Sequence, residues 1–222
     1  MSIPYRIRVL TVLCLLAPAW LFPACLSLAF LGTCAEAQEP AVAGVFRGSK
    51  FDKSNLVAWC IVPFDSKKRT PEQRATMLDE LGIKRLAYDY RAEHVASFEE
   101  EITTMKKHGI EFTAWWFPTV LNDEAKAILS LVKKHQIHPQ LWVSGGGDIA
   151  MDAQQTQAFI ESESRRIREI ALAAQDVGCK VALYNHGGWY GEPENQIRLI
   201  QAIGLPNVGI VYNLHHAHHQ LD

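Results

Sequence analysis

The sequence lacks a surplus of charge of either sign. Its 222 residues include 22 Lys and Arg against 24 Asp and Glu, a formal net charge of -2 with the His residues neutral. Proteins that bind the phosphates of nucleic acid need a basic surface, so this balance argues against a nucleic-acid partner. A small or neutral ligand is the expected partner.

Cysteine is scarce outside the N-terminal segment. Three of the five cysteines lie within the first 34 residues, and only Cys60 and Cys179 follow. Both lie in or beside apolar runs that predict strands. Two small buried side chains are therefore expected, and a disulfide framework is not.

A phosphate-binding loop is also missing. The run from Ser144 to Asp148 contains three consecutive glycines but has no lysine. It lacks the spacing of a P-loop as well, so a plain tight turn is expected there.

Residues 1–37 have the pattern of an export signal. Arg6 and Arg8 precede a run without formal charge from Val9 to Ala35, and Ala35-Glu36-Ala37 offers a small-x-small cleavage site before Gln38. This pattern predicts a cleaved signal peptide and a periplasmic or extracellular protein. The uncharged run could instead remain as a membrane anchor, and the protein would meet a membrane only in that case. Residues 38–55 are predicted to form a linker.

The domain is predicted to begin at Leu56 and to run to Asp222. Six short apolar runs predict strands at 56–62, 83–88, 110–116, 140–143, 180–183 and 208–211. They recur about every 28 residues apart from a longer fourth interval, and amphipathic segments separate them. Strict alternation of such strands with helices requires a parallel sheet, either in a (β/α)8 barrel or in an open doubly wound fold.

Sequence signals mark where the helices begin. Thr70-Pro71 predicts one start, and Ser97 with Glu100 three residues later predicts a capping box at another. Asn122 and Asp152 predict two further N-caps.

Polar and aromatic residues follow the ends of successive predicted strands. They are Asp65, Asp89 with Arg91, Trp115 with Trp116, Asp148, Asn185 with His186, and Asn213 with His216. A barrel distributes its site in this way around the carboxyl ends of its strands, whereas an open sheet concentrates it at one switch point. The distribution favours the barrel.

His186 and His216 are the candidate catalytic residues, because imidazole transfers protons near neutral pH and also binds metals. His215, His218 and His219 lie close by, but four His within five residues cannot all face inward. The candidate substrate-binding residues are Asp89, Arg91, Trp116, Asn185 and Trp189. Asp89 and Arg91 could equally form an internal ion pair. Strand alternation allows only one of Trp115 and Trp116 to face the inside of a barrel.

Four motifs carry a resemblance to a known family. They are Leu-Ala-Tyr-Asp-Tyr-Arg at 86–91, Ala-Trp-Trp-Phe-Pro at 114–118, Ala-Leu-Tyr-Asn-His at 182–186 and Val-Tyr-Asn-Leu-His-His at 211–216. In this order and at strand ends, they resemble the xylose isomerase-like TIM barrels, which include sugar phosphate isomerases and epimerases. Endonuclease IV is a more distant member. The resemblance covers Leu56 to Asp222 and implies a (β/α)8 fold.

The resemblance also implies a divalent metal, held by a glutamate after the fifth strand and an aspartate after the sixth. Tyr184 and Asn213 stand at these two positions here, while His216 matches a histidine three residues after the aspartate. If the chain binds Mn, Zn, Co or Mg, the expected ligands are therefore His186, Asn213 and His216. Neutral ligands hold a dication more weakly than carboxylates do.

Only six of the eight expected strand-helix units precede Asp222. An incomplete barrel is therefore expected. The sequence could be a fragment or the product of a truncated reading frame, or another chain could complete the barrel. The leading hypothesis is a sugar isomerase or epimerase that transfers a proton on a carbohydrate with the assistance of a divalent metal. The alternatives are an inactive or carbohydrate-binding barrel fragment and a lyase acting on an oxidised sugar. A nuclease conflicts with the charge balance and with the export signal.

Overall fold

The computed structural model describes Lys50 and residues 52–217. The predicted signal peptide, most of the predicted linker, and His218 and His219 lie outside the described residues. The part of the linker that is described contains a short 3-10 helix, Lys53–Asn55, in which the Asp52 side chain accepts a hydrogen bond from the backbone of Ser54.

One six-stranded sheet organises the structure, with its strands in sequential order. They are β1 (Ala58–Trp59), β2 (Arg85–Tyr88), β3 (Glu111–Phe117), β4 (Gln140–Val143), β5 (Lys180–Tyr184) and β6 (Val208–Val211). Every neighbouring pair is parallel, so all six carboxyl ends meet at one edge. Within the described ranges β1 and β6 each pair with a single neighbour, and the sheet does not close on itself.

Helices connect the strands as the alternation predicts. They are α1 (Pro71–Leu81), α2 (Phe98–Lys107), α3 (Asp123–His135), α4 (Ala153–Gln175), the single turn α5 (Gly188–Gly191) and α6 (Pro193–Ile203). In α1, Thr70 and Gln73 cap each other and Gly82 ends the helix at φ 70°, which confirms the predicted boundaries. No helix in residues 52–217 has both the length and the apolarity needed to cross a membrane.

The capping box predicted at Ser97 and Glu100 is wrong. The Ser97 hydroxyl donates a hydrogen bond to the carbonyl oxygen of His94, 2.8 Å away, and makes no cap contact with α2. A 3-10 helix at Ala92–Ser97 leads directly into α2 and gives Ser97 this local partner.

The first strand is shorter than predicted. Leu56–Val62 was expected, but only Ala58 and Trp59 pair with β2. Cys60 takes a left-handed φ of 57°, which turns the chain out of the extended conformation. Leu56 and Val57 remain 43% and 41% exposed at this edge of the sheet.

The two faces of β3 have different roles, as its alternation requires. Trp115 is fully buried beneath the helices, where its ring lies 4.6 Å from Tyr88 and 5.1 Å from Phe98 between centroids. Trp116, the next residue, points to the opposite face and is half-buried. Trp116 therefore belongs to the inner face of the sheet, the face turned away from the helices.

A buried ion pair joins α1 to α2. The Arg74 Nε donates to Glu101 Oε1 at 2.8 Å and its Nη2 donates to Oε2 at 3.0 Å. Arg74 is 3% exposed and Glu101 is 0% exposed, so neither charge can be solvated if its partner is removed.

Replacing Glu101 with Gln is therefore expected to lower the free energy of unfolding by about 3–5 kcal/mol, measured by urea denaturation. The control is Asp123→Asn, which removes the exposed partner of Lys126, and its effect is expected to stay below about 1 kcal/mol. The double variant Arg74→Met/Glu101→Leu removes both charges and should recover most of the loss. Equal effects of Glu101→Gln and Asp123→Asn would contradict the assignment.

Candidate functional site

A cavity of about 710 Å³ opens at the carboxyl ends of the strands. Five of the residues predicted for the site line it, and they come from four separate regions of the chain: Asp89, Arg91, Trp116, His186 and His216. Residues that the sequence analysis did not assign to the site also line it, among them Trp59, Cys60, Phe64, Tyr184 and His215. The predicted distribution of polar residues around the sheet edge thus converges on one cavity.

Aromatic rings cover the inner face of the sheet. Trp59 and Trp116 stack with centroids 6.0 Å apart and planes 6° from parallel. Trp116 meets Trp142 edge-on at 4.4 Å, and Trp142 stacks on Tyr184 at 5.6 Å. Ring faces of this kind accept the apolar C–H faces of sugars while leaving hydroxyl groups to polar neighbours.

Two imidazoles lie side by side at one end of this aromatic surface. The ring centroids of His186 and His216 are 4.5 Å apart, and the ring of Tyr184 is 6.0 Å from the first and 5.7 Å from the second. His215 lies 5.2 Å from His216. The structure therefore brings together the two residues predicted to transfer protons.

Asn185 holds the loops after β5 and β6 together. It is 1% exposed, its Oδ1 accepts the backbone N–H of Asn213 at 2.7 Å, and its Nδ2 donates to the backbone oxygen of Asn213 at 3.1 Å. Asn185 does not line the cavity. Its contacts position the segment that carries His216 next to His186.

The Asn213 side chain is also engaged. Its Oδ1 accepts the backbone N–H of His215 at 2.9 Å, and its Nδ2 donates to the Tyr184 hydroxyl at 2.8 Å. The residues at the two positions where the resemblance implies metal-binding carboxylates are therefore hydrogen-bonded to each other.

The donor set does not fit a divalent metal of the kind the resemblance implies. Among the described residues, no three His, Cys, Asp or Glu side chains gather closely enough to hold a metal ion. His186 and His216 offer two imidazoles, and the amide oxygen of Asn213 already accepts a hydrogen bond. Dications in proteins of this type need three or more ligands with carboxylates among them.

Asp89 lies in the cavity wall directly after β2 and is 4% exposed. Burial raises its pKa, and the backbone N–H groups of Asp89 and Val62, then Arg91, partly oppose this shift. The carboxyl and Arg91 do not form the ion pair that the sequence left open, because the Arg91 Nη1 donates to the Tyr90 carbonyl at 2.7 Å and its guanidinium lies over the ring of Phe64. Burial, followed by the negative charge of Asp89, raises the pKa of the neighbouring Cys60 to about 11.

Trp189 lies away from the cavity wall. It is 5% exposed and meets Phe159 edge-on at 5.2 Å. Its backbone N–H donates to the Gly147 oxygen at 3.1 Å, so the glycine loop packs against α5. Gly145 must be a glycine, because an added Cβ would lie 2.2 Å from the Tyr190 ring. The loop is a close-packed turn, as expected.

No protein-family model matches the sequence, and no curated protein matches it significantly. Solved structures do match. The 3-keto-D-glucoside 4-epimerase of E. coli aligns over 75% of this chain and 70% of its own, with 15% identity and a TM-score of 0.56. D-psicose 3-epimerase aligns over 75% and 65%, with 15% identity and a TM-score of 0.53.

A third match is the probable 3-DHS dehydratase of Bacillus anthracis, over 70% of this chain and 61% of that one, with 17% identity and a TM-score of 0.53. Over the aligned part, the chain shares the parallel α/β barrel-type fold of these proteins, with a sheet that is not closed in the described region. This confirms the fold that the four motifs implied. The chain spans less than two thirds of the length of two of these three proteins.

The Asn185 side chain donates one hydrogen bond and accepts another, so a substitution that removes only the donor tests how the site is held together. Asn185→Asp keeps the acceptor but sets a carboxylate oxygen against the Asn213 carbonyl, and it is expected to cost about 1–3 kcal/mol of stability. Asn122→Asp is the matched control, since Asn122 only accepts, from the backbone of Ala125 at the start of α3. An Asp side chain caps a helix N-terminus as well as Asn does, so no loss of stability is expected from this variant. Equal thermal melting of the two variants would contradict the assigned role of Asn185.

Proposed function

We propose that this protein is a sugar isomerase or epimerase that transfers a proton on a carbohydrate bound in the cavity. The observation that carries the proposal is the adjacent His186 and His216 pair, which stands at the end of a wall of aromatic rings at the carboxyl edge of the sheet. The fold shared with two carbohydrate epimerases supports it. Acid-base groups beside a stacking surface are what such chemistry requires.

A neutral carbohydrate suits the cavity better than a sugar phosphate. Arg91 is the one Lys or Arg side chain among the described residues of the cavity wall, and it is engaged by the Tyr90 carbonyl and the Phe64 ring. Phosphate sites usually combine several cationic or backbone donors in a fork or a loop. Export of the chain would agree with a substrate that carries no phosphate.

His186 and His216 are assigned the proton transfers. One imidazole removes the proton from the carbon beside the substrate carbonyl, and the other holds the substrate hydroxyl in place or returns the proton. Trp116 and Trp59 present the ring faces on which the sugar lies.

Exchange of a carbon-bound hydrogen for deuterium in D2O, followed by 1H NMR on neutral ketoses and ketoglycosides, tests the proposal directly. His186→Gln and His216→Gln are each expected to slow exchange by at least about 100-fold, because general acid-base catalysis contributes this much. His135→Gln is the control, since His135 pairs with Glu99 outside the cavity. It should leave the rate unchanged.

Carbohydrate binding without turnover is the second candidate function. The absence of a complete metal donor set from residues 52–217 favours it. In that case, calorimetry would detect sugar binding that is lost in Trp116→Ala, and no deuterium exchange would occur. A lyase on an oxidised sugar would begin with the same proton removal but would release water or another leaving group, which the same NMR spectra would show.

We also propose that the chain is exported after cleavage between Ala37 and Gln38. Mass spectrometry of the protein from a fractionated bacterial host is expected to find a mature chain that begins at Gln38 in the periplasm or medium. Replacing Ala37 with a bulky Leu should leave the uncleaved chain in the membrane fraction. An intact N-terminus in the cytosol would refute export, and an intact wild-type chain in the membrane would identify an anchor instead.

A further inference from the structure

Asp89 is a buried carboxyl in the cavity wall. The residue is 4% exposed, and neither Oδ1 nor Oδ2 makes a hydrogen bond of normal geometry in the part of the chain that the structure describes. The backbone N–H groups of Asp89 and Val62 and the Cys60 thiol approach the carboxyl and favour its charged form, but burial outweighs them and raises its pKa. A buried carboxyl of this kind is retained where a ligand supplies a better hydrogen bond or where the carboxyl is neutral.

Burial favours the neutral form of Asp89, whereas Arg91 and the contact with the Cys60 thiol lower its pKa. Cys60, from the segment after β1, is held as a neutral thiol chiefly by its own burial, which raises its pKa to about 11. Tyr88, on the preceding strand, is also held neutral by burial. Arg91 favours the carboxylate, but its guanidinium is directed to the Tyr90 carbonyl and the Phe64 ring.

The other titratable side chains of the cavity come from β5 and β6. They are Tyr184, His186, His215 and His216. Cys60 interacts electrostatically with both Asp89 and Tyr184. Because Asp89, His186 and His216 line the same cavity, one bound substrate can contact the carboxyl and the imidazoles together.

We propose that Asp89 is a catalytic general acid, a neutral carboxyl whose O–H donates to the carbonyl oxygen of the substrate while a cavity histidine removes the adjacent carbon-bound proton. This inference rests on the proposed function and adds the electrophile that it needs. The described residues do not gather a metal donor set that would polarise the carbonyl. An uncharged acid in an apolar wall can do so, as a neutral carboxyl does in ketosteroid isomerase.

The substrate, the imidazole and the carboxyl supply and receive all the protons and electrons of the proposed step. The C–H bond breaks and its proton goes to the imidazole, the electron pair forms the C=C bond of an enediol, and the carbonyl oxygen takes the carboxyl proton. Imidazolium and carboxylate are left. The reverse transfers return a proton to carbon, on either face or at the neighbouring carbon, and return the oxygen-bound proton to Asp89. No oxidant, reductant or co-reactant is required.

Stability against pH tests the neutral carboxyl without any substrate. Because burial raises the folded-state pKa of Asp89, its ionisation destabilises the fold progressively as pH rises above the unfolded value of about 3.9. Asp89→Asn should therefore match wild type in thermal melting at pH 4 and melt at a higher temperature at pH 8. The exposed control Asp123→Asn should show no such gain. A lower melting temperature for Asp89→Asn at pH 8 would mean that Asp89 has a structural role, and it would overturn the proposal.

Deuterium exchange tests the catalytic role. Asp89→Ala removes the donor and should slow exchange about 100- to 1000-fold, as loss of one oxyanion donor does. Asp89→Asn keeps an N–H donor and should retain roughly tenfold more activity than the alanine variant. Wild-type exchange should also fall at high pH as Asp89 ionises, a limb of the pH profile that Asp89→Asn should lack.

The two proposals fail in different ways. If wild-type protein exchanges no carbon-bound hydrogen in any neutral carbonyl sugar, the proposed function fails, and with it the role of Asp89 as an acid. The pH-dependent melting would then still report whether the carboxyl is neutral. If wild type exchanges and Asp89→Ala exchanges equally fast, the function stands and the inference about Asp89 is wrong.

Discussion

The reciprocal hydrogen bonds between Asn185 and Asn213 are the contact on which the rest of the site depends. Parallel pairing of β5 with β6 brings two loops to the same edge, but pairing alone does not fix where their side chains point. The buried Asn185 amide uses both its donor and its acceptor on the Asn213 backbone, which sets the turn that follows. The His186 and His216 rings lie 4.5 Å apart as a result. A single buried amide thus helps to hold two imidazoles side by side at the sheet edge.

The inner and outer faces of the sheet differ in burial. Trp115 fills the layer beneath the helices, where it is fully buried. Trp116, on the other face, belongs to a wall of rings that stays partly open to solvent. The Arg74 and Glu101 pair stabilises the helical side and contributes nothing to the cavity. Period-two alternation along one strand is enough to assign adjacent tryptophans to these separate roles.

Much of the fold was predictable because its signals are local. Thr70 with Gln73 caps α1 as the sequence indicates, and β4 and β6 have the predicted bounds. Long-range geometry was not predictable in this way. The left-handed backbone at Cys60 shortens β1, and no residue type signals it. Trp189 follows two glycines, as a ligand-binding residue of a loop would, but it lies in the short helix α5 and packs on Phe159 of α4.

The chain departs from the pattern that the resemblance implies by having neutral side chains in place of charged ones. Where the resemblance implies two metal-binding carboxylates, Tyr184 and Asn213 donate and accept one hydrogen bond between their side chains, 2.8 Å long. This neutral contact ties the ends of the two strands together without a charged group. If the chain acts on a carbonyl sugar, as we propose, a group other than a metal must polarise the carbonyl. Asp89, in the wall of the same cavity, has the burial that a neutral carboxyl donor requires.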